Sequence, residues 1–107
     1  MAFSIKVIVV PNYEGGITKV IDALHYPIYK MMDDPMMKEV QDGAYLDYVA
    51  IFRSEDAWEF HKKYKLDPHF DIDKMKYQKL EEILSKRSRE NAWIIFQIYE
   101  WESGEQD

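Results

Sequence analysis

Apolar residues recur along this chain with a period of two in some stretches and of three to four in others, and the switches mark its elements. Phe3, Ile5, Val7 and Val9 alternate with Ser4, Lys6, Ile8 and Val10. That β-branched run predicts a strand from Phe3 to Val10, stopped by Pro11-Asn12. After Gly15-Gly16, the residues Ile17, Val20, Ile21, Leu24, Ile28 and Met31 fall at steps of three, four or seven and predict one helical stripe. Pro27 lies inside the stripe and is expected to kink or divide the helix, and Asp33-Asp34-Pro35 ends it.

Period two returns around Asp42-Gly43, a hairpin signal expected to form a type I′ turn with positive φ at both central residues. Its first arm, Met36 to Gln41, is poor in β-formers and is expected to be short or irregular. Its second arm, Ala44 to Arg53, sets Tyr45, Asp47, Val49 and Ile51 against Leu46, Tyr48, Ala50 and Phe52. Ser54 is the expected N-cap of a helix, with Glu55-Asp56 suited to its positive end. That helix runs to about Lys65 and breaks at Leu66-Asp67-Pro68. Asp71 or Asp73 caps a continuation whose stripe is Met75, Leu80, Ile83 and Leu84, with positive charge from Lys86 to Arg89 at its end. Ala92 to Trp101 is the last strand, and the polar tail from Glu102 is expected to fray.

The predicted order is strand, helix, strand, strand, helix, strand, an α+β class with a four-stranded antiparallel sheet and both helices on one face. The strands carry apolar bulk on both sides, so the uncovered face needs a partner. An identical sheet is the simplest one, giving a two-fold homodimer.

At 107 residues the chain is expected to be one domain, 1–107. Aromatics make up 15% of it, more than so small an interior readily hides, which again points to a partner surface. The formal charge of −6 argues against nucleic acid or an anionic membrane as partner. There is no cysteine, which excludes disulfides, thiolate catalysis and Cys-ligated zinc. No signal-peptide pattern and no membrane-length apolar run is present, so a cytoplasmic protein is expected.

The run from Phe52 through Ser54-Glu55-x-Ala57 and His61 to Pro68-His69-Phe70 resembles the dimeric α/β-barrel superfamily. It is most similar to the antibiotic-biosynthesis monooxygenase-like branch, and secondarily to the stress-responsive A/B-barrel branch. In both, a strand leads through Ser-Glu-x-Ala into a short helix that ends near Pro and His. Here a few extra residues separate His61 from Pro68, and Trp58 replaces the usual aliphatic residue. The resemblance implies a ferredoxin-like βαββαβ fold, a dimeric barrel, and His61 and His69 near the barrel mouth. It fixes fold better than chemistry, since members include cofactor-free oxygenases, haem-degrading enzymes, polyketide cyclases and proteins without known activity.

Either histidine could then serve as general base toward a phenol, with Tyr48 and Trp58 shaping the pocket. The plainer alternative makes His61 a partly exposed helix residue and His69 a helix cap. Eight residues across a helix break give no standard ligand spacing, so no metal is expected there, and no cofactor. His25 beside Tyr26-Pro27 reads as structural. Asn12 matches a functional Asn of the haem-degrading relatives, or is ordinary turn chemistry. Tyr45, Tyr48, Trp93, Tyr99 and Trp101 either line an aromatic pocket or fill the interface between two sheets. The function expected is binding of a small hydrophobic or aromatic molecule, with a cofactor-independent monooxygenase as its catalytic form. The alternative is a non-enzymatic binding or dimerisation module with a filled inter-sheet interface.

Overall fold

A computed structural model describes residues 2–12, 15–22, 26–65, 74–87 and 92–101. The strand read from Phe3 to Val10 is β1 (Ala2–Pro11), and a short strand, β2 (Lys19–Asp22), pairs antiparallel with it. Helix α1 (Ile28–Met32) is followed by the hairpin β3 (Lys38–Asp42) and β4 (Tyr45–Arg53). Helices α2 (Ser54–Tyr64) and α3 (Lys74–Arg87) lead to the last strand, β5 (Ala92–Trp101). The α+β class holds. All pairings are antiparallel, in the order β2-β1-β5-β4-β3.

The sheet therefore has five strands rather than four, and the elements run ββαββααβ rather than βαββαβ. The difference begins after Gly15, whose φ of +84° lies in the left-handed region that a glycine enters at little cost. The chain there turns back onto β1, so that Val20 faces Ile8 and Ile21 faces Val7 across the ladder. The helical spacing of Ile17, Val20 and Ile21 loses to β-branched propensity and to the backbone hydrogen bonds of the adjacent strand. Among the described residues of that stripe, only Ile28 to Met32 are helical, and Pro27 sits at the start of that helix.

Two local expectations also change. The hairpin's central residues are Gly43 and Ala44, since Asp42 already pairs with Tyr45. Among the described residues only glycines have positive φ, and Gly43 (φ +61°) is the one in this turn, the type II′ pattern rather than I′. Ser54 is the first helical residue and not the cap, which is Arg53 in extended conformation. The Ser54 hydroxyl instead donates to the Ala92 carbonyl at 3.2 Å, tying the start of α2 to the start of β5.

The helices cover one face of the sheet. Against it lie three registered rows: Val9, Ile94 and Phe52; Val7, Phe96 and Ala50; Ile5, Ile98 and Tyr48. All but Tyr48 are buried, and Tyr48 packs at the margin of the core. Ala57, Phe60 and Tyr64 of α2 recur at three- and four-residue steps and press onto these rows. Phe96 meets the rings of Tyr26, Phe52 and Phe60 at centroid distances of 5.7, 5.8 and 5.0 Å. On α3 the buried stripe is Tyr77, Leu80 and Leu84, and Met75, expected in it, is 81% exposed. Met75 is displaced by Tyr77, which keeps its ring inside and its hydroxyl on Glu81 at 2.9 Å.

Among the described residues no helix lies on the other face. Its register places Val20, Ile8, Ile95 and Ile51 in one row across four strands, flanked by a row of Val10, Trp93 and Arg53. Val20 is 60% and Ile51 57% exposed. The Arg53 guanidinium sits 4.0 Å over the Trp93 ring, and Gln97 Nε2 donates to Asp47 Oδ2 at 2.9 Å.

Candidate functional site

His61 is on the inward stripe of α2, one turn after Ala57 and one before Tyr64 in register with the core. The stripe puts a polar ring where only apolar ones are free of cost, and the ring is 0% exposed. Its two nitrogens are met from two other elements. Tyr26, just before α1, brings its hydroxyl to 2.6 Å from Nδ1, and Glu81 of α3 brings Oε1 to 2.9 Å from Nε2. An ionised carboxylate only accepts, so Nε2 carries the proton and donates to Glu81, leaving Nδ1 to accept from the Tyr26 hydroxyl. The Tyr77 hydroxyl donates to the same Glu81 oxygen at 2.9 Å, and Lys65 Nζ stands 4.0 Å from it. Trp58 stacks on the imidazole at 5.3 Å, with 22° between the planes.

Protonation states follow from this packing. Burial holds the His61 imidazolium below its ordinary range, against the opposing pull of Glu81. Burial alone would raise the Glu81 carboxyl, yet the hydrogen bonds from His61 and Tyr77, with the charge of Lys65, hold it below the usual value. Tyr77 is pushed up to about 12 by burial and by its bond to Glu81. Tyr26 is raised well above an ordinary tyrosine, first by burial and then by Tyr77 and Glu81. Near neutral pH the chain therefore reads neutral phenol, neutral imidazole, carboxylate.

A second polar cluster ties the turn after α1 to α2. Asp34, buried, accepts from the Met36 amide at 2.9 Å, from Lys63 Nζ at 2.9 Å and from the Tyr64 hydroxyl. Burial opposes its ionisation, but those donors outweigh it and lower the carboxyl. Lys63 is exposed, and its ammonium is raised by the same bond.

Of the residues singled out in the sequence, the structure brings His61 and Trp58 into contact. His61 is fully buried and not the partly exposed helix residue of the plainer reading. Tyr48 lies one registered row beyond Phe96, against Phe3 at 6.3 Å. Asn12, exposed, follows the opposite end of β1. Seven residues separate it from Ile5, whose row holds Tyr48, and that is about 23 Å of strand. One small ligand cannot touch both. His25 and the segment Pro68-His69-Phe70 lie outside the described residues.

Tyr26, Tyr77 and Glu81 complete the His61 chain, and the sequence reading missed all three. Tyr77 and Glu81 carry a signal in hindsight. They sit at i and i+4 on the stripe of Leu80 and Leu84, and an acid on an inward face requires a donor. Tyr26 carries none beyond being an aromatic next to a proline.

An imidazole between hydroxyl and carboxylate has the composition of a proton relay, but Tyr26 and His61 leave almost no surface for a substrate. A cleft of about 210 Å³ lies elsewhere, lined by Val20, Ile21, Asp22, Lys76 and Lys79 between β2 and α3. Among the described residues no group of three or more His, Asp or Glu side chains is placed to hold a metal ion. No described helix is long and apolar enough to cross a membrane. No protein-family model, curated protein or solved structure matches this chain.

Proposed function

We propose that this chain is a homodimeric interaction module whose open sheet face packs against the same face of a second copy. The observation that carries the reading is the row Val20, Ile8, Ile95 and Ile51, which crosses four strands with no described helix over it. Contiguous apolar surface of this kind marks an interaction site. At about 3.3 Å per residue and about 4.8 Å between strands, the paired strands present roughly 600 Å² per copy. Two copies then bury roughly 1,200 Å², the lower end of what stable interfaces use.

Charge supports the choice of a second copy. The described charged side chains of this face are Lys6, Lys38 and Arg53 against Asp22 and Asp47, whereas the whole chain carries −6. With its described charges nearly balanced, an identical face can approach this one without strong repulsion.

Face-to-face pairing of sheets is also what resemblance to the dimeric α/β barrels implies. The chain's own strand order differs from that family's: β4 and β5 are adjacent and antiparallel, whereas a split βαβ unit sets a third strand between its two parallel ones. A small hydrophobic or aromatic molecule would be held between the sheets, beside Trp93. The monooxygenase-like reading draws less support, because both His61 nitrogens are engaged inside the helix layer.

The test is Ile51→Glu, followed by light scattering behind size exclusion. Ile51 is exposed in the single chain, so the fold survives its replacement. The wild type is expected to elute with the mass of two copies and the variant with the mass of one. A wild type of single mass would overturn the proposal.

A further inference from the structure

The Tyr26–His61–Glu81 chain does more than fill the core, because one imidazole joins three separately placed pieces of backbone. Tyr26 precedes α1, His61 is in α2 and Glu81 is in α3, and among the described residues the two helices reach each other's polar groups through His61–Glu81 and Lys65–Glu81. We propose that this chain is a proton-operated latch: it holds α1, α2 and α3 together over the sheet while His61 is neutral, and releases Tyr26 when His61 takes up a proton. The latch is independent of the dimer face, which lies on the opposite side of the sheet.

The reason is hydrogen-bond direction. In the neutral state each nitrogen meets a group of the opposite kind, an acceptor carboxylate at Nε2 and a donor hydroxyl at Nδ1. A protonated ring donates from both. Nδ1–H then points at the Tyr26 O–H from 2.6 Å, donor against donor, and the phenol must turn its proton elsewhere or withdraw. Withdrawal also lifts the Tyr26 ring from Phe96 and from the imidazole edge, at 5.7 and 5.6 Å.

The groups facing the imidazole act in both directions. Glu81 from α3 favours the cation, and Lys65 at the end of α2 opposes it. Tyr77 from α3 divides the Glu81 oxygen with His61 and weakens its hold on the proton. Lys62 of α2 stands over Trp58 at 5.9 Å, on the indole that stacks with the ring. Tyr26 is neutral throughout the range in which His61 titrates. From the sheet side the Tyr26–His61 pair meets Phe96, which carries no charge.

The experiment uses the full chain with His25→Gln and His69→Gln, so that His61 is the one imidazole, and follows its ring proton by NMR against pH. Amide exchange of α2 and α3 is recorded over the same series. The latch is expected to give one titration, with helix amide protection falling at its midpoint. Tyr26→Phe removes the donor that favours the neutral ring and is expected to raise the midpoint. Glu81→Gln removes the carboxylate that favours the cation and is expected to lower it. Midpoints that stay put or move in the same direction overturn the proposal. So do helix amides that stay protected through the titration, a result read on the unsubstituted relay even if a variant fails to fold.

Discussion

At His61 one buried ring serves as donor and acceptor at once, and losing either partner leaves a polar atom in an apolar layer. Tyr26→Phe orphans Nδ1 without opening a cavity and is expected to cost about 1–3 kcal/mol, read as a lower denaturant midpoint at unchanged slope. The pH dependence has a definite sign. The folded imidazole binds its proton more weakly than an ordinary histidine of pKa 6.5, so the unfolded chain takes up that proton first as pH falls. Stability is expected to decline below about pH 6.5 and to level off once the folded ring has titrated. Glu81 and Asp34 are lowered from ordinary values of 4.5 and 3.8, so the stability they contribute is present above those values and lost below them, as a second decline. Urea unfolding of the single-histidine background from about pH 7 to about pH 2 checks both steps. Flat stability from about pH 7 to pH 5 would contradict the assignment of His61. His61 was legible as a candidate because its type and position matched a motif, but its burial was not. Of the four residues three or four steps from it, Ala57, Trp58, Tyr64 and Lys65, three have polar or amphipathic character in the bare sequence.

At the scale of elements, alternation located β1, β4 and β5 because each crosses the sheet with one face buried by helices. It failed at β2, where Ile17, Val20 and Ile21 satisfy helical spacing by coincidence and the pairing with β1 decides. Period cannot report a neighbour distant in sequence. The β3–β4 hairpin depends on one backbone position. Gly43 has a φ of +61°, and a Cβ there meets nothing within 4 Å, so Gly43→Ala costs only conformational strain. That is about 1 kcal/mol, expected as a small drop in thermal midpoint with the fold retained. Asp34→Ala acts on a larger unit. It strips the Met36 amide, Lys63 and the buried Tyr64 hydroxyl of their acceptor, with an expected loss of about 2–3 kcal/mol in urea unfolding.

For the whole molecule, the two faces of one sheet have different fates. The helix side is closed by rings packed on Phe96, and Phe96→Ala is expected to lose about 3–5 kcal/mol, enough to bring a domain of this size close to unfolding. The far side keeps Val20, Ile51 and Trp93 in solvent within a single chain. The sequence showed that both faces were apolar and that the helices could cover only one, since that follows from alternation and helix count. Which face stayed bare depended on register, which the pattern of one strand does not contain. The central claim is that two bare faces close on each other, and sedimentation equilibrium of the unmodified chain at micromolar concentration tests it most directly. A mass of two copies that Ile51→Glu halves is the expected result; a single-copy mass for the unmodified chain would contradict it.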